Sequence, residues 1–297
     1  MKIGKLYWWK EEKNFGDFAS YYLVSHLAKN KIEWAFPQAC IHRDLVNFLR
    51  SIKHREKFAF SSYRGYVFPW EKALFAIGSI LDFANSKTIV WGSGYREYSS
   101  LYRKTKILAV RGNLSLEKIP LNKRKNVALG DPGLLLPLVY DNPQEQTKDV
   151  TIIPHFVDYH YFKEKYGQSY DVLDVRTNDL EYMIDNIRQS KYILSSSLHG
   201  LIFAHAYGIP ALWIRHGYVK SSDFKYLDYF SSVDIPAYTG EDDDEKLLDS
   251  LFSIADYFHK ESNRSLIKKG KLVQVQLSLL KSFPFELKEK YKHFIGR

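Results

Sequence analysis

The chain of 297 residues contains a single cysteine, Cys40, and only two methionines. One cysteine cannot form an intramolecular disulfide, which excludes a disulfide framework and favours a reducing compartment. The sequence also lacks any run near the roughly 20 apolar residues that a membrane-spanning helix needs. Its first residues, 1–13, show a strand-like pattern followed by charges and no signal-peptide pattern. We therefore expect a cytoplasmic protein.

The usual signals of a nucleic-acid-binding protein are missing too. There is no long Lys/Arg block, no zinc-finger spacing and no basic heptad region, so we expect no nucleic-acid partner. Lys and Arg nevertheless total 43 against 34 Asp and Glu, a net charge of +9. A balance of this sign favours an anionic small substrate, an acidic membrane surface, or both. The apolar fraction of 45% excludes a disordered chain.

Short apolar runs alternate with helical patterns, as buried parallel strands and their crossover helices do. The predicted strands are Lys2–Trp9, Ala73–Ile77, Thr88–Trp91, Ile107–Val110, Val127–Leu129, Val150–Ile153, Val172–Val175, Tyr192–Leu194 and Ala211–Ile214. Four helices are predicted between these strands. The first begins after Asn14, the second runs over 43–52, the third has Leu180, Met183, Ile184 and Ile187 on one face, and the fourth spans Leu198–Tyr207. Pieces of buried helix are the weaker alternative for the apolar runs, because each run is so short.

A polar stretch, Pro137–Lys148, separates two such series and is typical of a domain linker. The pattern predicts an α/β protein of two Rossmann-like domains, 1–140 and 149–297, that face a cleft. C-terminal helices can cross back to the first domain. The last stretch, Lys281–Arg297, mixes basic and aromatic residues, so it either lies on an acidic membrane surface or packs on the first domain.

Parallel sheets bind ligands at the carboxyl ends of their strands, where the next helix presents its N-terminus. The run Ser195–Gly200 lies at such a point and offers three hydroxyls, unpaired backbone N–H groups and the imidazole of His199. We predict that His199 holds an anion when protonated or transfers a proton. Alternatively, the serines only cap the helix and His199 is a surface residue.

Two other strand ends each present a candidate. His155 directly follows a strand and can donate to an anion, while Asp158 can cap or orient. A metal held by these two side chains is a weak alternative, because two ligands at this spacing are a poor signal. Arg111 also ends a strand, and its guanidinium suits a bidentate contact to carboxylate or phosphate. An ordinary surface ion pair explains Arg111 equally well.

The remaining candidates have weaker signals. Asp131 in Gly130–Gly133 is more typical of a turn cap than of a catalytic group. Ser93 lies in a small glycine-rich loop, Trp91–Gly94, that lacks the nucleotide-binding spacings. The turn Asn14–Asp17 either brings backbone N–H groups to a ligand or simply begins a helix.

A segment of mixed charge and aromatic character, Asp223–Tyr229, follows a basic stretch that includes Arg215. Lys225 can reach an anionic substrate, and the tyrosines can stack on sugar rings. An aromatic helix packed between domains is an equally good interpretation. His205 and His216 have no special placement, so we predict structural roles for them.

Taken in order, these motifs resemble the polysaccharide pyruvyltransferase family. The matching segments are Asn14–Asp17, Trp91–Gly94, Val110–Ser115, Gly130–Pro132, Ile153–Asp158 and Ser195–Ile214. The last segment is the most specific of them. The resemblance implies an architecture similar to GT-B glycosyltransferases. It also implies transfer of a pyruvyl group from phosphoenolpyruvate to two sugar hydroxyls, which gives a cyclic ketal and phosphate.

The resemblance assigns the general acid to His199 and a donor contact to Arg111. The expected donor-binding residues are Arg111, His155, Ser196, Ser197, Leu198 and Lys225. Residues expected at the acceptor or in the cleft are Asn14, Asp17, Ser93, Asp131, Asp158 and Arg215. The implied chemistry uses no metal or organic cofactor. The implied acceptor is a galactose-type residue of a lipid-linked repeat unit for capsular or exopolysaccharide, which allows peripheral contact with the inner membrane surface.

One departure from the family pattern concerns the donor. Many members carry arginine just before the Leu-His pair, where this chain has Ser197. Lys225, Arg215 or His155 would have to supply the missing cation, or donor binding is weakened. Two alternative functions stay open at this point: a GT-B glycosyltransferase that uses a nucleotide sugar, and a non-catalytic glycan-binding relative.

Overall fold

A computed structural model describes residues 3–35, 72–216, 223–241, 247–248 and 254–296. The helix predicted over 43–52 and the single cysteine lie outside these ranges. The described chain is an α/β structure with two sheets of parallel strands, as the alternating apolar pattern predicts.

The first sheet has six strands in the order β2-β1-β3-β4-β5-β6, all parallel. They are β1 Ile3–Tyr7, β2 Lys31–Trp34, β3 Ala73–Phe75, β4 Thr88–Trp91, β5 Lys106–Val110 and β6 Ala128–Leu129. Five of them coincide with predicted runs, and β2 was not predicted. It is an edge strand in which Lys31 and Glu33 alternate with Ile32 and Trp34, so it lacks the continuous apolar run of a buried strand.

The second sheet has four parallel strands in the order β10-β9-β7-β8. They are β7 Lys148–Ile153, β8 Asp171–Val172, β9 Ser190–Ser195 and β10 Ala211–Trp213. All four overlap predicted strands. β7 and β9 lie at the centre of this sheet and pair over their whole length, from Lys148 with Ser190 to Ile153 with Ser195.

Helices connect the strands and continue to the C-terminal end of the described chain. They are α1 Phe15–Leu27, α2 Asn113–Glu117, α3 Tyr159–Tyr166, α4 Leu180–Arg188, α5 Leu198–Ala206, α6 Phe224–Ser232, α7 Ile254–Lys260, α8 Ser262–Ser265, α9 Lys269–Lys281 and α10 Glu289–Lys292. A 3-10 helix, Pro132–Leu138, follows β6. The predicted apolar face of α4 is confirmed, because its four positions are all buried.

One apolar cluster runs through both halves of the chain. Where α1 meets α5, the rings of Phe15 and Phe203 pack edge to face with centroids 5.2 Å apart. The backbone N–H of Phe15 donates to the carbonyl of Val175 at 3.0 Å. These contacts hold the first turn of α1 against the second half of the chain. The division into two domains around a cleft stays a prediction.

The C-terminal segment packs on the N-terminal half. The indole N–H of Trp91 donates to the carbonyl of Leu279 in α9 at 2.9 Å. Beyond α9, Leu287 pairs with Ala28 in an antiparallel bridge, and Lys29 Nζ lies 2.6 Å from Glu286. Of the two interpretations of this stretch, the described residues show the packed one. Within the described ranges, no helix is long and apolar enough to cross a membrane.

Candidate active site

Loops at the carboxyl ends of strands from both sheets meet beside the first turns of α1, α5 and α6. The loops after β1 and β5 belong to the first sheet, and those after β7 and β9 belong to the second. Because every pairing is parallel, the polar residues after these strands lie at matching edges of their sheets. Five ionisable side chains are brought within electrostatic reach of one another here: Asp17, Arg111, His155, His199 and Lys225.

His199 stands in the first turn of α5, and its ring lies against the backbone of α1. A side chain on Gly16 would collide with the imidazole, so glycine is required there for this approach. The Nε2 atom of His199 is buried, and no described residue bonds to it. Burial, followed by the charges of Lys225 and Arg111, lowers the pKa of His199 to about 3. The imidazole is therefore neutral at pH 7 in the ligand-free protein.

Asp17 stands next to Gly16 in the first turn of α1. The side chain of Asn14 caps this helix by accepting from Gly16 N at 2.9 Å, which fixes the turn. Burial raises the pKa of Asp17 to about 7, and the charge of Lys225 opposes that shift. A carboxyl group with such a pKa exchanges protons near neutral pH, as a general base requires.

Lys225 stands in the first turn of α6. Burial lowers its pKa to about 8, helped by the charges of Arg111 and Arg96 and opposed by Asp17. The ammonium is thus mostly protonated at pH 7. Sequence reasoning missed Arg96, an exposed side chain after β4 whose charge also acts on His155, because it belongs to none of the motifs.

His155 follows β7 and is held by the serine run after β9. Its backbone N–H donates to Ser196 Oγ at 2.8 Å. Burial, with the charges of Lys225 and Arg96, lowers the pKa of the His155 imidazole to about 4. His155 is therefore neutral at pH 7 and offers an anion a hydrogen bond but no charge.

Arg111 is fully buried and holds the two halves of the site together. Its Nε donates to Asp228 Oδ2 in α6 at 3.0 Å, and its Nη1 and Nη2 donate to Ser79 Oγ and the Tyr95 carbonyl, each at 2.6 Å. Asp228 also accepts from the backbone N–H and the hydroxyl of Ser115 at 2.8 and 2.6 Å. This network positions α6, and therefore Lys225. The direct donor contact expected for Arg111 stays a prediction.

Sequence reasoning did not single out Asp228 as a partner of Arg111. The two residues are 117 positions apart, so no local spacing links them.

Two further buried polar atoms belong to this region. Ser93 Oγ and Asp131 Oδ2 have no hydrogen-bond partner among the described residues. Asp131 Oδ1 accepts from Gly133 N at 2.9 Å, which is the turn cap that the sequence predicts. Burial raises the pKa of Asp131 to about 7, while the Gly133 N–H and the charge of Arg111 oppose the shift. An unpartnered buried polar atom costs roughly 1–3 kcal/mol, and such atoms concentrate at functional sites.

The first serine of the run has a structural role, whereas the side chain of the third makes no cap hydrogen bond. Ser195 Oγ donates to the Ile153 carbonyl at 2.7 Å and accepts from Ser197 N at 3.0 Å, which locks the turn between β9 and α5. Ser196 Oγ serves His155 as described. The Ser197 side chain makes no cap hydrogen bond to α5, and Leu198 begins the helix.

Three other residues considered in the sequence have hydrogen bonds of their own. Arg215 Nη1 donates to the Thr239 carbonyl at 3.0 Å. Asp158 is buried at the start of α3, and its N–H donates to the His155 carbonyl at 2.9 Å. His205 bonds to the Tyr229 hydroxyl at 2.9 Å in the core, which confirms its structural role.

The prediction that tyrosines of Asp223–Tyr229 stack on sugars is wrong for Tyr226 and Tyr229. Both are fully buried, and the Tyr226 hydroxyl donates to the Ser196 carbonyl at 2.6 Å. Their rings instead pack in the core, Tyr226 against Trp213 with centroids 4.0 Å apart. The alternative interpretation, a packed aromatic helix, is the one observed.

Comparison with known sequences decides the family. The profile of the family described as polysaccharide pyruvyl transferase matches residues 14–218, which include Asp17, Arg111, His155 and His199. The chain belongs to the polysaccharide pyruvyl transferase family. It is therefore a transferase that acts on polysaccharides.

Two individual proteins resemble this chain. An uncharacterized protein of Acanthamoeba polyphaga mimivirus, L143, is 30% identical over 238 residues, covering 73% of this chain and 81% of the viral protein. The crystal structure of an uncharacterized Klebsiella pneumoniae protein, KP1_0663, has 12% identity and a TM-score of 0.37, and the match covers 77% of this chain and 87% of that one. That likeness is too low for any inference on fold or function.

Among the residues that the structure describes, no three His, Cys, Asp or Glu side chains are grouped so as to hold a metal ion. His155 and Asp158 therefore have no third ligand of these types in the described chain.

Proposed function

We propose that this pyruvyl transferase moves a pyruvyl group from phosphoenolpyruvate to two hydroxyls of a sugar, forming a cyclic ketal and releasing phosphate. The observation that carries the proposal is a buried, neutral imidazole that faces two cations at a helix N-terminus. The two cations and the helix N-terminus suit a donor that carries a carboxylate and a phosphate.

Lys225 is the proposed main donor cation. Of the three residues that can replace the missing arginine, Arg215 is turned toward Thr239, and His155 is neutral at pH 7 because burial lowers its pKa to about 4. Lys225 keeps its charge and acts on His199. Arg111 adds its positive charge to the field at the site, and the backbone N–H of Leu198 in the first turn of α5 completes the anion site.

His199 is the proposed acid, and the donor itself prepares it. The negative charges of phosphoenolpyruvate oppose those of Lys225 and Arg111, so donor binding raises the pKa of His199 and draws a proton onto the ring. The imidazolium then gives this proton to C3 of the donor while a sugar hydroxyl bonds to C2.

Asp17 is the proposed base for the acceptor. Its carboxylate takes the proton of the attacking hydroxyl as the C2–O bond to the sugar forms. The C2–O bond to phosphate then breaks, and phosphate leaves with the electron pair and takes up the proton held by Asp17, which restores the carboxylate. The second hydroxyl bonds to C2 and returns a proton to the now neutral His199, which closes the ketal. A general acid or base typically contributes about 10²–10⁴-fold.

The proposed acceptor is a galactose-type sugar of a lipid-linked repeat unit, with the protein in the cytoplasm and in peripheral contact with the inner membrane surface. The scheme uses no metal or organic cofactor and takes phosphoenolpyruvate as co-substrate. It involves no nucleic acid.

A thermal-shift comparison tests the donor. A ligand that binds only the native state increases the free energy of unfolding, by about 2.7 kcal/mol at a concentration of a hundred times its Kd, and so raises the melting temperature. We expect phosphoenolpyruvate to stabilise the protein and UDP- and GDP-sugars to leave it unchanged. Lys225→Met should lose the shift, while Lys191→Met, which removes an exposed lysine from the second sheet, should keep it. Stabilisation by a nucleotide sugar alone would favour a glycosyltransferase.

A further inference from the structure

An aromatic cavity opens beside the site, between the loop after β1, the outer face of α1 and strand β2. Its volume is about 610 Å³. Aromatic side chains supply much of its lining: Trp8, Trp9, Phe18, Tyr21 and Trp34. This group includes three of the six tryptophans in the chain. None of the residues predicted for sugar stacking belongs to it.

The aromatic side chains are held in place by contacts among themselves. The rings of Trp8 and Tyr21 stack with centroids 5.0 Å apart, and the indole N–H of Trp34 donates to the Trp8 carbonyl at 3.0 Å. The ammonium of Lys10 lies 4.4 Å from the Trp8 centroid and 5.2 Å from that of Trp34. Rigid aromatic surfaces of this kind bind a ligand with little loss of side-chain entropy.

Polar groups share the cavity with the rings. Lys10, Glu12, Lys13, Asn14 and Asn178 also line it. A purely apolar ligand would leave these groups without hydrogen-bond partners, which is costly. A saccharide has apolar C–H faces for the rings and hydroxyls at its edge for the amides and charges, so its chemistry matches both halves of the lining.

The cavity and the proposed catalytic groups share one helix. Asn14, Phe18 and Tyr21 line the cavity from α1, and Asp17 lies on the same helical face because these positions are three or four residues apart. The neighbouring residue, Gly16, touches His199. A sugar held in the cavity would thus reach along the first turn of α1 to Asp17.

We propose that this cavity is the acceptor subsite, in which sugar rings of the glycan stack on the half-buried rings of Trp9, Tyr21 and Trp34. That the bound sugar is an acceptor directed toward Asp17 rests on the proposed function. Saccharide binding in the cavity does not depend on pyruvyl transfer. The expected ligand is a neutral glycan segment, with Lys10 and Lys13 at its edge.

The test is a tryptophan-fluorescence titration without donor, using disaccharides that end in galactose, glucose or N-acetylmannosamine. At least one of them should bind. Tyr21→Leu should weaken binding about tenfold, which corresponds to about 1.4 kcal/mol and matches the loss of one aromatic face. Tyr21→Phe, which keeps the ring, should bind within about twofold of wild type.

Two further variants keep the result interpretable, and circular dichroism checks that each one folds. Trp9→Leu removes a second, half-buried ring of the cavity and should also weaken binding. Tyr192→Leu removes a ring from the second sheet and should not. The proposal is overturned if no disaccharide binds the wild-type protein, or if binding survives in both Tyr21→Leu and Trp9→Leu.

The two proposals fail separately. If sugars are pyruvylated while Tyr21→Leu leaves the acceptor KM unchanged, the subsite is wrong and the function stands. If sugar binding depends on Tyr21 but no disaccharide is ever pyruvylated, the subsite stands and the function is wrong.

Discussion

At the scale of single residues, Asp17 and His199 have pKa values displaced in opposite directions. Burial raises the pKa of Asp17 to about 7 and, with two cations, lowers that of His199 to about 3. In the ligand-free protein at pH 7, the Asp17 carboxyl group is therefore partly protonated, and the His199 imidazole is neutral. Opposed pKa shifts in neighbouring groups are typical of acid–base pairs in active sites. The donor's charge is what restores a proton to His199.

Donor binding is therefore expected to take up protons. At pH 7 His199 is neutral because its pKa is lowered, and a bound dianion raises that pKa, so the complex holds more protons than its components. Affinity for phosphoenolpyruvate should accordingly rise as pH falls from 8 toward 7. Calorimetry in buffers of different ionisation enthalpy counts the protons directly.

The control for this prediction is His199→Gln. Lys225, with a pKa of about 8, also gains protons on donor binding, so the variant should reduce proton uptake without abolishing it. Donor binding likewise raises the pKa of Asp17, and the fraction of Asp17 that stays ionised acts as the base. Equal uptake by wild type and variant would show that His199 stays neutral in the complex and is not the acid.

A second prediction concerns the buried pair of Arg111 and Asp228. Removing one partner of such a pair costs about 3–5 kcal/mol, because the other charge is left buried. Arg111→Met and Asp228→Asn should each lower the free energy of unfolding by this amount, as measured in urea. The double variant should lose about 0.5–3 kcal/mol less than the sum of the two.

The outcome separates the two roles of Arg111. A positioning role predicts the loss of stability and the coupling. If Arg111→Met instead unfolds at the wild-type urea concentration and loses only phosphoenolpyruvate binding, Arg111 is a direct donor ligand, as the family resemblance implies.

At the scale of elements, the approach of α5 to α1 depends on a glycine in the first turn of α1. Gly16→Ala places a methyl group where the His199 ring lies, so the imidazole must move. We expect catalytic turnover to fall at least about 100-fold, as a displaced catalytic group does. The steady-state rate with saturating donor measures it.

The chain offers a matched control for that substitution. Gly270 also lies in the first turn of a thirteen-residue helix, α9, and apart from its chain neighbours and the backbone of α9 itself, no atom of the described residues lies within 4 Å of a Cβ placed there. Gly270→Ala should keep full activity and stabilise the protein by about 0.4–1 kcal/mol. Equal activity of Gly16→Ala and Gly270→Ala would mean that the His199 ring can reorient without loss of catalytic activity.

The elements themselves follow from the sequence where the signal is local. The buried face of α4 and the central strands β4 and β7 are predictable, because each is a contiguous apolar pattern of the right period. β2 is not, because it is an edge strand with alternating charges. The pairing of Arg111 with Asp228 is not predictable either, since it depends on how α6 returns to the first sheet after more than a hundred residues.

The site shows the same limit. His199 and Asp17 follow from a strand end and family motifs, and Lys225 follows from the charged and aromatic segment Asp223–Tyr229; all of these signals are local in sequence. The aromatic cavity joins residues near positions 8, 21, 34 and 178, and it exists only once β1, α1 and β2 are assembled. The sugar-stacking prediction failed for the same reason, because burial of Tyr226 and Tyr229 depends on their neighbours in the fold.

At the scale of the whole molecule, the C-terminal segment ties the chain's end to its beginning. Leu287 and Tyr291 are almost fully buried against the N-terminal half. Truncation after Ser282 should lower the free energy of unfolding by at least about 3 kcal/mol, since each buried side chain of this kind contributes about 1.5–3 kcal/mol. Urea denaturation followed by circular dichroism measures the change.

A surface variant provides the contrast. Lys292→Met breaks exposed ion pairs to Glu286 and Glu289 and should change stability by less than about 1 kcal/mol. If the truncated protein keeps its stability and loses only binding to vesicles of acidic lipid, the segment's main role is at a membrane.

Formation of a pyruvate ketal on a sugar is the reaction that we propose for this transferase. Mass spectrometry of galactoside, glucoside and mannosaminide acceptors incubated with phosphoenolpyruvate tests it most directly. We predict that one acceptor gains the mass of pyruvate less one water, with one phosphate released per product, and that His199→Gln abolishes both signals. No mass gain on any acceptor, or an equal gain with His199→Gln, would contradict the account.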